Sequence, residues 1–224
     1  MLRFVLPVAL LTASAAGAAQ RSFPVTGFER IAAAGSEDIA ITTGKAPSVT
    51  ATGPQDQLDH LDIRVEAGTL RIGHKGNSSG WNREGVKIRV TMAALKGVKL
   101  AGSGDVTADS GSGPEFTAEL SGSGDLNISH IDSASAVFST AGSGDIAAAG
   151  KCTSARVAIS GSGDMNLGHL ACADIDIRIA GSGDVSANAT RTANVRMSGS
   201  GDVKVSGGAR CISHTSGSGS VSCG

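Results

Sequence analysis

The motif Gly-Ser-Gly-Asp recurs through the second half of the chain at a nearly fixed spacing, and that spacing limits the possible folds more than any other feature. Copies begin at Gly102, Gly122, Gly142, Gly161, Gly181 and Gly199, and a seventh at Gly217 ends on Ser220 where the others have Asp. The intervals are 20, 20, 19, 20, 18 and 18 residues. A period near twenty signals stacked supersecondary units, none of which can bury its apolar face alone.

The flanking residues say which unit. Two before the first glycine stand Leu100, Leu120, Thr140, Ile159, Ile179 and Met197, and four before stand Val98, Ala118, Phe138, Val157, Ile177 and Val195. Four after stand Val106, Leu126, Ile146, Met165, Val185 and Val203. The positions between are polar or small, such as Lys99, Glu119, Thr107, Asn127, Asn166 and Lys204. This is period two, the strand period, on both sides of the motif. The chain is therefore expected to be all-β, a parallel β-helix or β-solenoid with coils of about 20 residues stacked about 4.8 Å apart. Equal offsets in successive coils become neighbours, which sets Lys99 beside Glu119 and Arg156 beside Asp176 as opposite-charge pairs.

Carried through the motif, the alternation turns both glycines inward and Ser and Asp outward. The glycines Gly102, Gly104, Gly122, Gly124, Gly142, Gly144, Gly161, Gly163, Gly181, Gly183, Gly199 and Gly201 then read as a structural corner that admits no side chain. The rival reading is an ion ladder formed by Asp105, Asp125, Asp145, Asp164, Asp184 and Asp202. Calcium takes about six to eight oxygens, and one carboxylate per coil supplies few, so the corner is favoured. No metal or cofactor is expected. The closing Gly-Ser-Gly-Ser fits a terminal coil, where the rules of the repeat relax.

Cys152 and Cys172 each lie nine residues before a motif glycine, so stacking makes them neighbours and a disulfide is expected between them. Cys211 and Cys223 flank the last motif and are expected to pair as a clasp. His130 and His169 share an offset, but an intervening coil holds them about 10 Å apart. His60, His74 and His214 read as solvated surface side chains.

The front of the chain repeats less cleanly. Residues 28–100 are expected to form irregular coils and 101–224 regular ones, within one solenoid domain over 20–224. Gly35-Ser-Glu-Asp38 reads as a worn copy of the motif, and the polar stretch 77–84 around Trp81 as a loop. Before all this, Arg3, the apolar run Phe4–Leu11 and Ala16-Gly17-Ala18 read as a secretory signal over 1–19, cleaved after Ala18 or Ala19. No Cys stands at that site, so no lipid anchor is expected, and no later segment has the length and apolarity of a membrane span. Export makes oxidised cysteines the expected state. The formal charge is −1, or −2 without Arg3, which argues against a nucleic-acid partner.

The order of these stretches resembles the bacterial "putative auto-transporter adhesin, head GIN domain" family. The resemblance is carried by FERIAAAGSEDIAI from Phe28, SVTATGPQDQLDHLDIRVEAGTLRI, VKIRVTMAALKGVKLAGSGDV and the later GSGD copies, over about residues 28–208. It implies a β-helix-like fold in an exported bacterial protein, and no catalytic residues to carry over.

For function, the leading expectation is a non-catalytic, exported solenoid at the periplasmic or outer face of the cell. It would be an adhesin-like or envelope scaffold protein that recognises a surface or envelope ligand. A glycan- or calcium-binding module is the alternative, and a polysaccharide-degrading enzyme comes last. Asp174 and Asp176 are candidate acids for such an enzyme, but Arg156 and Arg178 beside them point to a surface charge network. Apart from Trp81 the chain has five Phe and no Tyr to form sugar platforms.

Overall fold

Alternating inward and outward residues need a partner surface for the inward face, and each coil of this chain finds it in the next. A computed structural model describes residues 18–76 and 85–224; the leader up to residue 17 and the loop 77–84 with Trp81 lie outside the described residues. The chain runs β1 (Ala19–Phe23), β2 (Arg30–Gly35), β3 (Asp38–Thr42), β4 (Ser48–Gly53), the one short helix among the described residues α1 (Gln55–His60), β5 (Leu61–Glu66), β6 (Thr69–His74) and β7 (Lys87–Thr91). The regular coils follow as β8 (Gly97–Gly102), β9 (Val106–Ala108), β10 (Gly111–Gly122), β11 (Leu126–Gly142), β12 (Ile146–Gly161), β13 (Met165–Gly181), β14 (Val185–Gly199), β15 (Val203–Ser206), β16 (Arg210–Gly217) and β17 (Val221–Cys223). All of these strands join in one sheet wound into a solenoid.

From β8 onward every pairing between coils is parallel, and the motif glycines stand in one column. Gly102 pairs with Gly122, then Gly142, Gly161, Gly181, Gly199 and Gly217 follow in turn. The unequal intervals do not disturb this column. The differences in coil length are taken up at register shifts between Ile128 and Ile131, between Ala147 and Ala149, between Leu167 and Ala171, and between Cys172 and Asp174. Bulges on the side away from the corner thus absorb the length differences.

The inward columns form one continuous core. Leu100, Leu120, Ile159, Ile179, Val106, Leu126, Ile146 and Met165 are all buried. Thr140 is the buried polar residue in these two columns, and its hydroxyl donates to the Gly144 carbonyl at 3.3 Å.

The front of the chain corrects the expectation of parallel coils running unbroken from Phe28. The β2–β3 coil does stack parallel beneath β8 and β9. Its other side is covered by β6 and β7, also parallel, so a later stretch of chain lies below an earlier one. Three antiparallel pairings complete this end: β1 with β4, β4 with β7, and β5 with β6. The hairpin turn between β5 and β6 explains the last of these. Ala67 and Gly68 both have positive φ, 48° and 74°, the geometry of a tight hairpin whose twist matches its strands. Leu58 of α1, Leu61, Leu70, Met92 and Leu95 are buried here and close the bottom of the core.

Candidate recognition surface

The corner works through two different demands on its glycines. The first of each pair has positive φ, +134° at Gly122 and +133° at Gly142, in the region that disfavours any Cβ. Its carbonyl then accepts two donors from the coil above, as Gly102 O does from Ser123 N at 3.0 Å and Gly124 N at 3.2 Å. The second glycine has no such φ. There the limit is space, since a Cβ on Gly124 would fall inside 3.0 Å of the Gly104 carbonyl oxygen in the coil below.

The aspartates complete the hydrogen-bond accounting at the corner. The carbonyl of each Asp accepts from the residue after the motif in the coil below, as Asp145 O does from Leu126 N at 2.9 Å. Its own N–H would be left over, and a buried or crowded backbone donor needs an acceptor. The carboxylate one coil down supplies it. Asp125 N donates to Asp105 Oδ1 at 3.0 Å, Asp145 N to Asp125 Oδ1 at 3.0 Å, and Asp164 N to Asp145 Oδ1 at 2.7 Å. Asp184 N and Asp202 N continue the ladder at 2.8 and 2.7 Å. On the last rung Ser220 donates both its N–H and its hydroxyl to Asp202 Oδ1, at 3.0 and 2.8 Å. These two bonds, the hydroxyl first, lower the Asp202 pKa.

One oxygen of each ladder carboxylate is thereby committed to backbone, which leaves little for an ion that wants six or more. No group of three or more His, Cys, Asp or Glu among the described residues is placed to hold a metal. Asp145→Ala is expected to cost about 1 kcal/mol by stripping the Asp164 N–H of its acceptor, while Asp145→Asn keeps an oxygen and costs little. Thermal melts with chelator and with added calcium check both points; a large calcium-dependent rise in the parent would turn the ladder back into an ion row.

The worn copy at Gly35–Asp38 occupies the corner of the β2–β3 coil, with Gly35 under Gly102. Glu37 stands at the second-glycine position and is 3% exposed. The tight coil that bars a side chain at Gly124 is replaced beneath Glu37 by the end of β6, so a side chain fits. His74 meets it there, Nε2 lying 2.9 Å from Glu37 Oε1. His74 is therefore no solvated surface histidine, and a sequence has no means to announce a partner reached by chain reversal.

On the strand face before the corner, two outward columns set the surface. The column next to the glycines holds Ala34, Ala101, Ser121, Ala141, Ser160, Ala180, Ser198 and Ser216, small residues on eight successive rungs. They leave a trough about 34 Å long beside the corner. The next outward column carries charge: Lys99 pairs with Glu119 at 2.9 Å, as the shared offset requires. Arg156 and Asp176 are also opposite in register. The Asp176 carboxylate nevertheless turns to Arg178, its neighbour on the same face of its own strand, at 3.1 Å.

Asp174 is held by the Arg191 guanidinium and by the Thr192 hydroxyl at 2.6 Å. The Arg191 hydrogen bond and then that of Thr192 lower its pKa from the usual 3.8 to about 2. A depressed carboxylate stabilises the fold above its unfolded value and loses that contribution as pH falls from about 3.8 toward 2. In Arg191→Gln the Asp174 midpoint should climb back toward 3.8, read by carboxyl-carbon NMR; an unchanged midpoint would remove Arg191 as the cause. A carboxylate so low is a poor proton donor near neutral pH, which weakens the glycan-cleaving reading.

Cys152 and Cys172 are joined across neighbouring coils, Cα to Cα 4.5 Å, and Cys211 is joined to Cys223 at 6.4 Å. His169 of β13 stands beside Ala149 of β12, and His130 lies in β11 on the other side of that coil. No helix among the described residues is long and apolar enough to cross a membrane.

Comparison with known proteins follows the same geometry. No curated protein matches the sequence. Among solved structures, a "putative adhesin" from Bacteroides fragilis superposes with a TM-score of 0.84 at 23% identity, over 93% of this chain and 98% of that one. A "putative lipid binding protein" from Parabacteroides distasonis gives 0.72 at 24% identity, over 93% and 97%. A "putative adhesin" from Parabacteroides merdae gives 0.67 at 19%, again over 93% and 97%. At these identities the likeness is one of fold. A family model matches residues 27–209, from the first buried Phe to the coil of β15, and by that match the chain belongs to the family described as "Putative auto-transporter adhesin, head GIN domain".

Proposed function

We propose that the chain is exported and serves as a non-catalytic, adhesin-like recognition solenoid at the periplasmic or outer face of a bacterial envelope. The observation that carries this reading is the ruled outer surface: a column of aspartates on one side of the corner and a trough of small side chains on the other, both held at constant rung spacing. Such a surface suits a long or repeating ligand better than a single small molecule. The adhesin descriptions of structural relatives support it, and the charged residues near Asp174 and Asp176 are spent on each other.

The same reading takes residues 1–19 as the leader and 20–224 as the working unit. Of the two cleavage sites, the one after Ala18 would shorten the leader to 1–18 and keep Ala19 in its pairing with Gly53 in β1. The test is a binding screen of the exported protein against glycans and bacterial or host surface proteins, alongside turnover assays on the same glycans. Saturable binding without turnover is expected. Cleavage of a glycan that is lost in Asp174→Asn or Asp176→Asn would overturn the non-catalytic assignment.

A further inference from the structure

One stretch of the trough differs in charge from the rest. Between β11 and β16 it opens into a groove of about 560 Å³. Its floor is the small column Ala141, Ser160, Ala180 and Ser198, and the wall away from the corner is Arg178, Arg196 and His214 on three successive rungs. Arg178 shares its charge with Asp176, whereas Arg196 makes no ion pair among the described residues. Arg156, one column further out, makes none either. The groove wall is thus locally cationic on a chain whose formal charge is −1.

We propose that this groove binds an extended anionic glycan, a polyuronate or sulfated chain, lying along the solenoid axis with its acid groups on Arg178 and Arg196. The proposal rests on the recognition reading above and names its ligand class. Arginine presents a planar fork that matches carboxylate and sulfate oxygens, and here two forks repeat at the rung spacing of about 4.8 Å. A polymer crossing the strands at right angles meets Arg178, Arg196 and His214 on successive rungs. Hydroxyls of Ser139, Thr215 and Ser216 line the same groove and suit the hydroxyls of sugars. A protein partner needs large apolar or aromatic anchors, and Ile212 is the exposed large hydrophobic of the described residues. The groove is open along its length, so an acyl chain laid in it would stay largely in water.

The experiment measures binding of the full exported chain to polygalacturonate and to heparin. Methyl-esterified polygalacturonate, poly-glutamate and phosphatidylglycerol vesicles serve as comparison probes. Binding to at least one of the two polyanionic glycans is expected, weakened by high salt. Methyl esterification should weaken binding to polygalacturonate. The double variant Arg178→Ala/Arg196→Ala should bind about tenfold or more weakly. Lys204→Ala removes one positive charge from β15, beyond the corner, and should bind as the parent does. Circular dichroism and melting curves establish that the variants are folded, and Arg196→Glu alone provides a second variant that leaves Asp176 its partner.

Unchanged glycan binding in both arginine variants would overturn the proposal. So would equal or tighter binding of poly-glutamate or of the vesicles, or no binding of either glycan. In that last case a neutral glycan or a surface protein caught in the wider screen would leave the recognition reading standing, and an empty screen would bring down both.

Discussion

Gly124→Ala should cost about 3 kcal/mol, the upper end of what overpacking a tight site costs. A single methyl is enough, because the offending atom is the Cβ itself: it would fall inside 3.0 Å of the Gly104 carbonyl oxygen. Neither atom can rotate away, since both belong to backbones tied into the corner column. The coils would have to part, and parting them weakens the Gly102 and Asp105 bonds on either side. Ser123→Ala, one residue earlier on the exposed side of the same corner, should be nearly neutral. Chemical denaturation of the two variants beside the parent checks the contrast. A Gly124→Ala protein as stable as Ser123→Ala would mean that the coils are not packed as tightly as described.

Loss of the Cys152–Cys172 disulfide should cost about 2–4 kcal/mol. The bond joins residues 20 apart, and so denies the unfolded chain many of its conformations. It also sits in the middle of the coil stack, where separating the two rungs requires unfolding on both sides. Cys211–Cys223 spans 12 residues at the exposed last coil, so its loss should fray that coil and lower global stability less. Reduced and oxidised parent compared by denaturation give the effect of the two bridges together, without any change of side chain. Cys152→Ala and Cys211→Ala variants then rank the two bridges. Coincident curves for reduced and oxidised protein would show that the unfolded chain gains nothing from release.

The regular coils were legible because every coil repeats the same local problem. Period-two alternation, the glycine column and the Cys152–Cys172 neighbour relation all follow from counting offsets, and the register shifts that might have spoiled the count are confined to the far side of each coil. The role of the aspartates was not legible in this way. Seeing it requires knowing that the Asp N–H has no backbone acceptor, which depends on how the corner carbonyls of two coils are shared out. The shared offset does set Arg156 opposite Asp176, but offset alone does not say which of the two neighbouring arginines the carboxylate takes, and it turns to Arg178 on its own strand. The front end was illegible at the level of order. Nothing in a linear pattern says that β6 and β7 fold back beneath β2 and β3, and the Glu37–His74 contact exists only because they do.

That reversal makes the two ends of the molecule unequal as templates. The β2–β3 coil is covered on one face by β6 and β7 and on the other by β8 and β9, so the bottom of the stack is sealed by chain that has doubled back. From β8 onward each new coil needs only its predecessor, which already offers a row of carbonyls and a waiting carboxylate for the next Asp N–H. Lengthening is therefore one-directional, away from the amino terminus. A chain threaded outward through a membrane amino end first would finish its closed base before any repeat emerged, and could then wind on one coil at a time. Number of coils becomes a freely adjustable length, which lets the reach of the surface change by insertion or loss of a single twenty-residue unit without redesigning the base.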